Sequence, residues 1–395
     1  MQNFYSLSRT EIEDRCRAAH MPAIHGSTLF RAAYKELSRE PWSVVGLPSR
    51  IRSVIGDAST HRPEAAKVLV SRYDKSVKFL FNLSGSSTGG SAPSSPDVRG
   101  PAPADPKFSD RAIRDDGAFS TADLAQVESV LMPEKQRVTL CVSSQVGCRQ
   151  GCTFCHTGRM GLRRNLEAGE IIGQIVAANQ WIADHPEWLE DLNLPAGQRV
   201  TNIVFMGMGE PLDNVEEVAR AISIMTDPLG CGIALRRISV STAGHLEGLN
   251  KLLECHPQVR LAVSVHSPFD SERSRIMPIN RRWPLSEVIA AIRKAQETQD
   301  HEVLLQYTLI SGVNDSADHA KALAELIGKN LRVKVNLIPL NEIDPSRFRS
   351  PAKESVERFR DHLHRTGIRV MVRYSKGQDI AAACGQLVTD PSRTS

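Results

Sequence analysis

Two rhythms divide the chain. From about residue 130 onwards, short runs rich in Val, Ile and Leu alternate with stretches whose apolar residues recur every three to four positions. The strand candidates are RVTLCVS from Arg137, VTNIVFM from Val200, RRISVST from Arg236, VRLAVSV from Val259, EVLLQYTLI from Glu302, VKVNLI from Val333 and IRVMVR from Ile368. Between them lie the helical stretches EIIGQIVAANQWIAD, VEEVARAISIMTD, LEGLNKLLEC, LSEVIAAIRKAQE, DSADHAKALAELIG and ESVERFRDHLHR. Continuously apolar strands that each precede a helix predict a parallel sheet covered on both faces. About six such units predict an α/β fold curved into a partial (β/α) barrel, with the chemistry on loops leaving the C-terminal strand ends. A flat doubly wound sheet stays open as the alternative, because periodicity alone does not separate the two.

Upstream the pattern changes. TEIEDRCRAAH and STLFRAAYKELSR have helical apolar spacing, with Thr10 and Ser27 as N-cap candidates, and VKFLFNL reads as a strand. These predict a small, mostly helical N-terminal accessory domain over 1–83. Residues 84–106 read SGSSTGGSAPSSPDVRGPAPADP, in which Ser, Gly and Pro supply 15 of 23 positions. Such a stretch buries too little apolar surface to offset its ordering entropy, so a flexible insertion is expected over 84–117. The catalytic core is then expected over 118–387, with a tail at 388–395.

Composition narrows the class. A chain of 395 residues with 41% hydrophobic positions has room for two domains and a large core. Lys and Arg number 49 against 45 Asp and Glu, a net +4 that permits a polyanionic partner without demanding one. The start, MQNFYSLSRTEIEDR, has no signal-peptide pattern and no long apolar run follows, so a cytoplasmic protein is expected. Eight cysteines, at 16, 141, 148, 152, 155, 231, 255 and 384, are then not a structural disulfide framework.

Their spacing carries the chemistry. CVSSQVGCRQGCTFCHTGRMG follows the first barrel strand, and Cys148, Cys152 and Cys155 form C-x3-C-x2-C on a glycine-bearing loop. Soft thiolates at short spacing select iron–sulfur clusters or zinc. A four-iron cluster on three thiolates keeps one iron open to an exchangeable ligand. A Cys3His zinc site using His156 is the competing reading, weakened because His156 directly follows Cys155 whereas structural zinc sites usually bring ligands from separate turns.

Three cysteines so spaced, with an aromatic residue before the last, resemble the radical S-adenosylmethionine (SAM) superfamily. CVSSQVGC, GMGEPLDN, ISVSTAG, VSVHSPFDSERSRIMPIN, YTLISGVNDS, VNLIPLN and GQDIAAACGQL run in the order found in its RlmN/Cfr family of RNA adenine methyltransferases. The resemblance covers about residues 125 to 387. It implies a radical SAM barrel, a [4Fe–4S] cluster on Cys148, Cys152 and Cys155, and SAM chelated to the open iron and cleaved to a 5′-deoxyadenosyl radical. Matching the motifs residue by residue implies Cys384 as the methyl carrier, Cys141 as the thiol that later forms a disulfide with it, and Glu128 as the proton acceptor. By the same resemblance Gly209, Glu210, Ser241, Ser264, Val265, His266 and Asn341 line the SAM pocket.

The family logic suits the substrate: C2 or C8 of adenine carries a C–H bond and no lone pair, so it cannot attack a SAM methyl group as an ordinary nucleophile. The implied activity is methylation of adenine C2 in 23S rRNA, and of tRNA, through an S-methylcysteine. Methylation at C8 (the Cfr type) is the alternative within the family, and a divergent paralogue with another RNA target is a further one. RNA is the implied partner, with an electron donor such as flavodoxin, and the enzyme is expected to be a monomer. RNA contacts are expected from Arg159, Arg163, Arg164, Arg273, Arg275, Arg281 and Arg282, since guanidinium suits phosphates and stacked bases. Cys16, Cys231 and Cys255 are expected to pack as small apolar residues. A non-catalytic RNA-binding zinc protein would explain the cysteine loop, but leaves GMGEPL, VHSP and ACGQL without a role.

Overall fold

The computed structural model describes residues 3–56, 63–83, 126–298, 300–329, 331–343 and 348–387. The Ser/Gly/Pro segment expected over 84–117 and the tail at 388–395 lie outside the described residues.

All seven strands expected in the C-terminal part form, and they are parallel neighbours: β4 (Arg137–Cys141), β7 (Asn202–Phe205), β8 (Ile238–Thr242), β9 (Arg260–Ser264), β10 (Val303–Leu309), β11 (Val333–Pro339) and β12 (Arg369–Val372). Their spatial order follows their sequence order, the signature of one right-handed unit repeated around a partial barrel. Helices α5 (Ala168–Asp184), α7 (Val215–Thr226), α8 (Leu246–Cys255), α10 (Leu285–Ala295), α11 (Ala317–Ile327) and α12 (Lys353–Arg365) supply the outer layer. Strand β10 is buried along nearly its whole length, as a strand covered on both faces must be.

Three antiparallel strands extend this sheet on the β4 side. They are β1 (Glu64–Val70), β2 (Val77–Asn82) and β3 (Gln126–Glu134), in the order β1-β2-β3-β4. Only β2 is legible in sequence. The EAAKVLV run of β1 is exposed or half-buried throughout and carries no clean alternation, and β3 follows the low-complexity stretch. Segment 1–83 therefore supplies two strands of the common sheet beside its helices α1 (Arg9–Ala18), α2 (Ala23–Tyr34) and α3 (Ile51–Ile55). An aromatic cluster packs Phe4 and Tyr5 of the leading turn against Phe30 and Tyr34 of α2, with Tyr34 donating to the Tyr5 carbonyl at 3.1 Å.

Both N-cap expectations are corrected. Ser8 caps α1 in a reciprocal capping box with Glu11, two residues earlier than the apolar spacing suggested, and Thr10 lies inside the helix. Helix α2 starts at Ala23 behind Pro22, so Ser27 is interior, and its hydroxyl donates to Glu13 of α1.

Among the described residues there are also the short helices α4 (His156–Arg159), α6 (Pro186–Asp191) and α9 (Asp270–Ile276) and the hairpin of β5 (Gln145–Gly147) and β6 (Leu162–Asn165). That hairpin brackets the cysteine loop. Its Gly147 has φ +75°, and a Cβ there would stand 1.8 Å from the Gly161 carbonyl oxygen, so only glycine closes the loop.

Candidate active site

The C-terminal strand ends surround a cavity of about 170 Å³. Cys148, Cys152 and Cys155 line it together with Gly209, Glu210, Ser241, Ser264, His266, Asn341 and Cys384. Side chains from six separate motifs thus meet where a barrel places its site. Phe154, the aromatic residue before the last cysteine, also lines it, as do Gln150, Met206, Gln306 and Thr308, which were not singled out from sequence. The polar pair Gln306 and Thr308 interrupts the otherwise apolar YTLI-bearing strand at a spacing of two, the one signal that could have marked them as facing inwards.

The cysteine loop is held from both sides. The Cys148 amide donates to the Gly161 carbonyl at 3.0 Å and the Thr153 amide to the Ile276 carbonyl at 3.0 Å. Burial raises the pKa of each thiol above its ordinary value, and the charges of Cys152 and Cys155 raise that of Cys148 further, so the three stand within electrostatic reach of one another. Among the described residues no group of three His, Cys, Asp or Glu side chains stands close enough to hold one metal ion. The three thiols line an open cavity instead, which fits a multi-iron cluster presenting a free face to a ligand.

Around that face the polar groups are pre-set. Glu210 is buried; its carboxylate accepts from the Ala243 amide at 2.8 Å and the Leu212 amide at 3.1 Å, while its own amide donates to Gln145 at 2.8 Å. Burial nevertheless pushes its pKa up to about 7. Gly209, at φ +104°, packs so closely on Gln145 that a Cβ would lie 2.9 Å from the Gln145 backbone nitrogen. The Nδ1 of His266 accepts from the Thr308 amide at 2.8 Å, which leaves the ring proton on Nε2. Burial pulls the His266 pKa down to about 3, and the ring stands edge-on to Phe154 at 4.9 Å, so it is a neutral donor. Ser241 donates to Gln306 at 3.1 Å. Val265 is the one expected pocket residue not brought to the cavity: its side chain is fully buried, its amide donates to Gln306 and its carbonyl accepts from Arg273.

The C-terminal loop docks onto the cysteine loop. Asn341 donates to the Cys384 carbonyl at 3.1 Å, the His156 amide to the Gly385 carbonyl at 2.8 Å, and Thr157 to the Leu387 carbonyl at 2.8 Å. Cys384 is exposed, whereas Cys141, at the end of β4, is buried behind the cavity. Burial, and then the charge of Cys384, pushes the Cys141 thiol up to about 12. All eight cysteines are free thiols. Glu128 lies on β3, outside the cavity lining; it is buried and ion-paired with Lys78 at 2.9 Å.

One of the arginines expected at RNA is corrected. Arg273 is fully buried and donates to the carbonyls of Val265 (3.0 Å), Ala243 (2.7 Å) and Ser264 (2.9 Å) and to Asn280 (2.5 Å). Arg164 forms a two-pronged ion pair with Glu170 at 2.7 Å. Arg159, Arg163, Arg275, Arg281 and Arg282 are exposed, Arg282 stacking over Trp283 at 4.3 Å. Of the three cysteines expected to pack, Cys16 is fully buried and Cys231 packs partly buried on the core, but Cys255 is exposed at the end of α8.

Residues 142–326 match the model of the radical SAM superfamily. The chain is 45% identical over 273 residues to the "Probable dual-specificity RNA methyltransferase RlmN" of Akkermansia muciniphila, covering 67% of this chain and 72% of that one. It is 36% identical over 372 residues to the protein of that same name from Heliobacterium modesticaldum, covering 93% and 84%. A crystal structure of a radical SAM methyltransferase from Sphaerobacter thermophilus superposes with a TM-score of 0.80 at 36% identity, covering 99% of this chain and 100% of that one.

Proposed function

The chain belongs to the RlmN family of radical SAM RNA methyltransferases, and on that premise we propose that it methylates C2 of adenine in 23S rRNA and in tRNA, with Cys384 carrying the methyl group. The family uses a [4Fe–4S] cluster and SAM. Cys148, Cys152 and Cys155 hold the cluster in this reading; Gly209, Glu210, Ser241, Ser264, His266 and Asn341 hold SAM. Together these two groups supply a primary-carbon radical able to take a hydrogen atom from a methyl group.

The observation that carries the reading is that Cys384, near the end of the chain, lines the same cavity as the three-cysteine loop and acts electrostatically on both Cys155 and Cys141. An exposed thiol beside the cofactor cavity can accept a methyl group, and a second thiol behind it can release the product. The Cys384 sulfur is methylated in a first displacement. Once a hydrogen atom has been removed from that S-methyl group, its radical carbon would bond to adenine C2, the adduct would return one electron to the one-electron couple that supplied the radical, and Glu128 would take the proton originally on C2. Cys141 then attacks the Cys384 sulfur; an S–S bond forms, the sulfur–carbon bond breaks with its electron pair going to the carbon, that carbon takes up the proton the Cys141 thiol loses to become the methyl group, and methylated RNA leaves. Burial keeps Cys141 protonated and shielded from oxidants until then.

The target adenine must be unstacked to enter, and exposed Arg159, Arg163, Arg275, Arg281 and Arg282 are the guanidinium groups that meet the RNA in this reading. A site on the cytoplasmic RNA pool fits a chain in which no described helix is long and apolar enough to cross a membrane. The test is anaerobic reaction of the reconstituted enzyme with defined 23S rRNA and tRNA fragments, a reducing one-electron donor and SAM, followed by nucleoside mass spectrometry. 2-Methyladenosine is expected in both RNAs; 8-methyladenosine would move the reading to the C8 chemistry, and unmodified adenosine in both would refute it.

A further inference from the structure

We infer that Lys78 is a positioning residue for the methyl transfer, tying the Cys384 loop to Glu128 through the N-terminal β1–β2 hairpin. The inference rests on the proposed roles of those two residues. Lys78 lies on β2, its side chain 8% exposed, and its ammonium makes two contacts: Glu128 Oε1 at 2.9 Å and the Ala381 carbonyl at 3.3 Å. Ala381 precedes Cys384 by three residues in the GQDIAAACGQL stretch. One buried cation therefore spans the carboxylate that is to take the ring proton and the loop that is to carry the methyl group.

The rest of the hairpin grips the same loop. The Gly377 amide donates to Asp74 at 2.8 Å, and the Arg72 amide donates to Asp379 at 3.0 Å. Asp74 is itself fixed within the turn by the Ser76 amide at 2.9 Å. The loop is held in a shape that costs free energy: Ala381 has φ +49°, a left-handed conformation disfavoured for a residue with a Cβ. Such a conformation persists only where surrounding contacts over-determine it, and Lys78 binds the carbonyl of that very residue.

Replacing a buried ion pair by apolar groups is often neutral for stability, so the role assigned to this pair rests on where it holds its two partners. Here the geometry is the separation between proton acceptor and carrier sulfur. Cys384 has other anchors, Asn341 on its own carbonyl and His156 on that of Gly385, which do not involve the hairpin. Loss of Lys78 should leave methylation of the Cys384 thiol intact and impair the later transfer to RNA.

Lys78→Met and Lys78→Arg in the full-length, cluster-loaded enzyme separate these steps. The S-methyl content of the Cys384 peptide is read by mass spectrometry, and methyl transfer to an rRNA fragment by single-turnover kinetics. Lys78→Met should load Cys384 as the unsubstituted enzyme does, with transfer slowed by about 10²-fold, the cost of a small misplacement of reacting groups; Lys78→Arg should restore most of the rate. Asp379→Ala, which loosens the grip at an exposed position while keeping the buried pair, should slow the same step less and decides the matter if Lys78→Met fails to fold. Unchanged transfer in Lys78→Met, or loading and transfer falling in equal proportion, would overturn the role of Lys78 alone. Absence of S-methyl from Cys384 in the unsubstituted enzyme would overturn the carrier reading and this inference with it.

Discussion

Arg273→Met should cost the fold about 3–5 kcal/mol, the range found when one partner of a buried charged network is removed. The guanidinium is fully buried and makes four hydrogen bonds, to the Val265, Ala243 and Ser264 carbonyls and to Asn280. It thus rivets the loops after β8 and β9 to the segment after α9. Charged donors contribute about 1.5–3 kcal/mol per bond, so the gross loss is roughly 6–12 kcal/mol. Against this stands the burial of an ion. Its pKa falls from 12.5 to about 10, chiefly through burial, which corresponds to roughly 3 kcal/mol. Partial relaxation of the loops brings the remainder into the range above. Urea unfolding of the cluster-free protein measures it, with Arg273→Lys as control. Lysine keeps the charge but cannot fan out to four acceptors, and should lose about half as much. A loss below about 1 kcal/mol for Arg273→Met would refute the reasoning, since a buried carbonyl left unpaired costs at least that.

SAM affinity should depend on pH through Glu210. Its pKa is raised to about 7, so a ligand ammonium must draw off a proton below that pH, and affinity should weaken up to tenfold per pH unit beneath it and level off above. Equilibrium dialysis on the cluster-loaded enzyme and its Glu210→Gln variant checks this; a flat profile in the former would contradict it. The same shift has a stability consequence: the ligand-free fold gains from protonated Glu210 at low pH and loses that gain as pH rises from about 4.5 through about 7. Gly209→Ala should fold with little loss elsewhere but bind SAM poorly, because a Cβ at φ +104° collides with Gln145; calorimetric titration with SAM reads it. Iodoacetamide should label exposed Cys384 and Cys255 well before Cys141, whose thiol is buried and pushed up to about 12; peptide mapping over time gives the order, and equal rates would contradict the burial argument.

The alternation of apolar strands and amphipathic helices determined a helix-covered parallel sheet, because strands covered on both faces must be continuously apolar and each helix must show one apolar stripe; the strand order that makes it a partial barrel came only with the fold. Local spacing likewise marked the three-cysteine loop, since its ligands are neighbours in the chain. What periodicity could not show were β1 and β3: β1 is an exposed edge strand without the burial that writes a pattern, and β3 is buried but carries the polar Glu128 and Ser129 among its buried positions, which breaks the apolar run. Nor could it separate the arginines. The two arginines of DSERSR look alike in sequence, yet Arg273 turns inward to satisfy four acceptors while Arg275 stays exposed. The meeting of Cys384 with the cysteine loop, the neutral tautomer of His266 and the Lys78 bridge from hairpin to carrier loop were decided by the tertiary structure. Each is a contact between residues far apart in sequence, and only folding puts their charges and hydrogen-bonding groups within reach of one another.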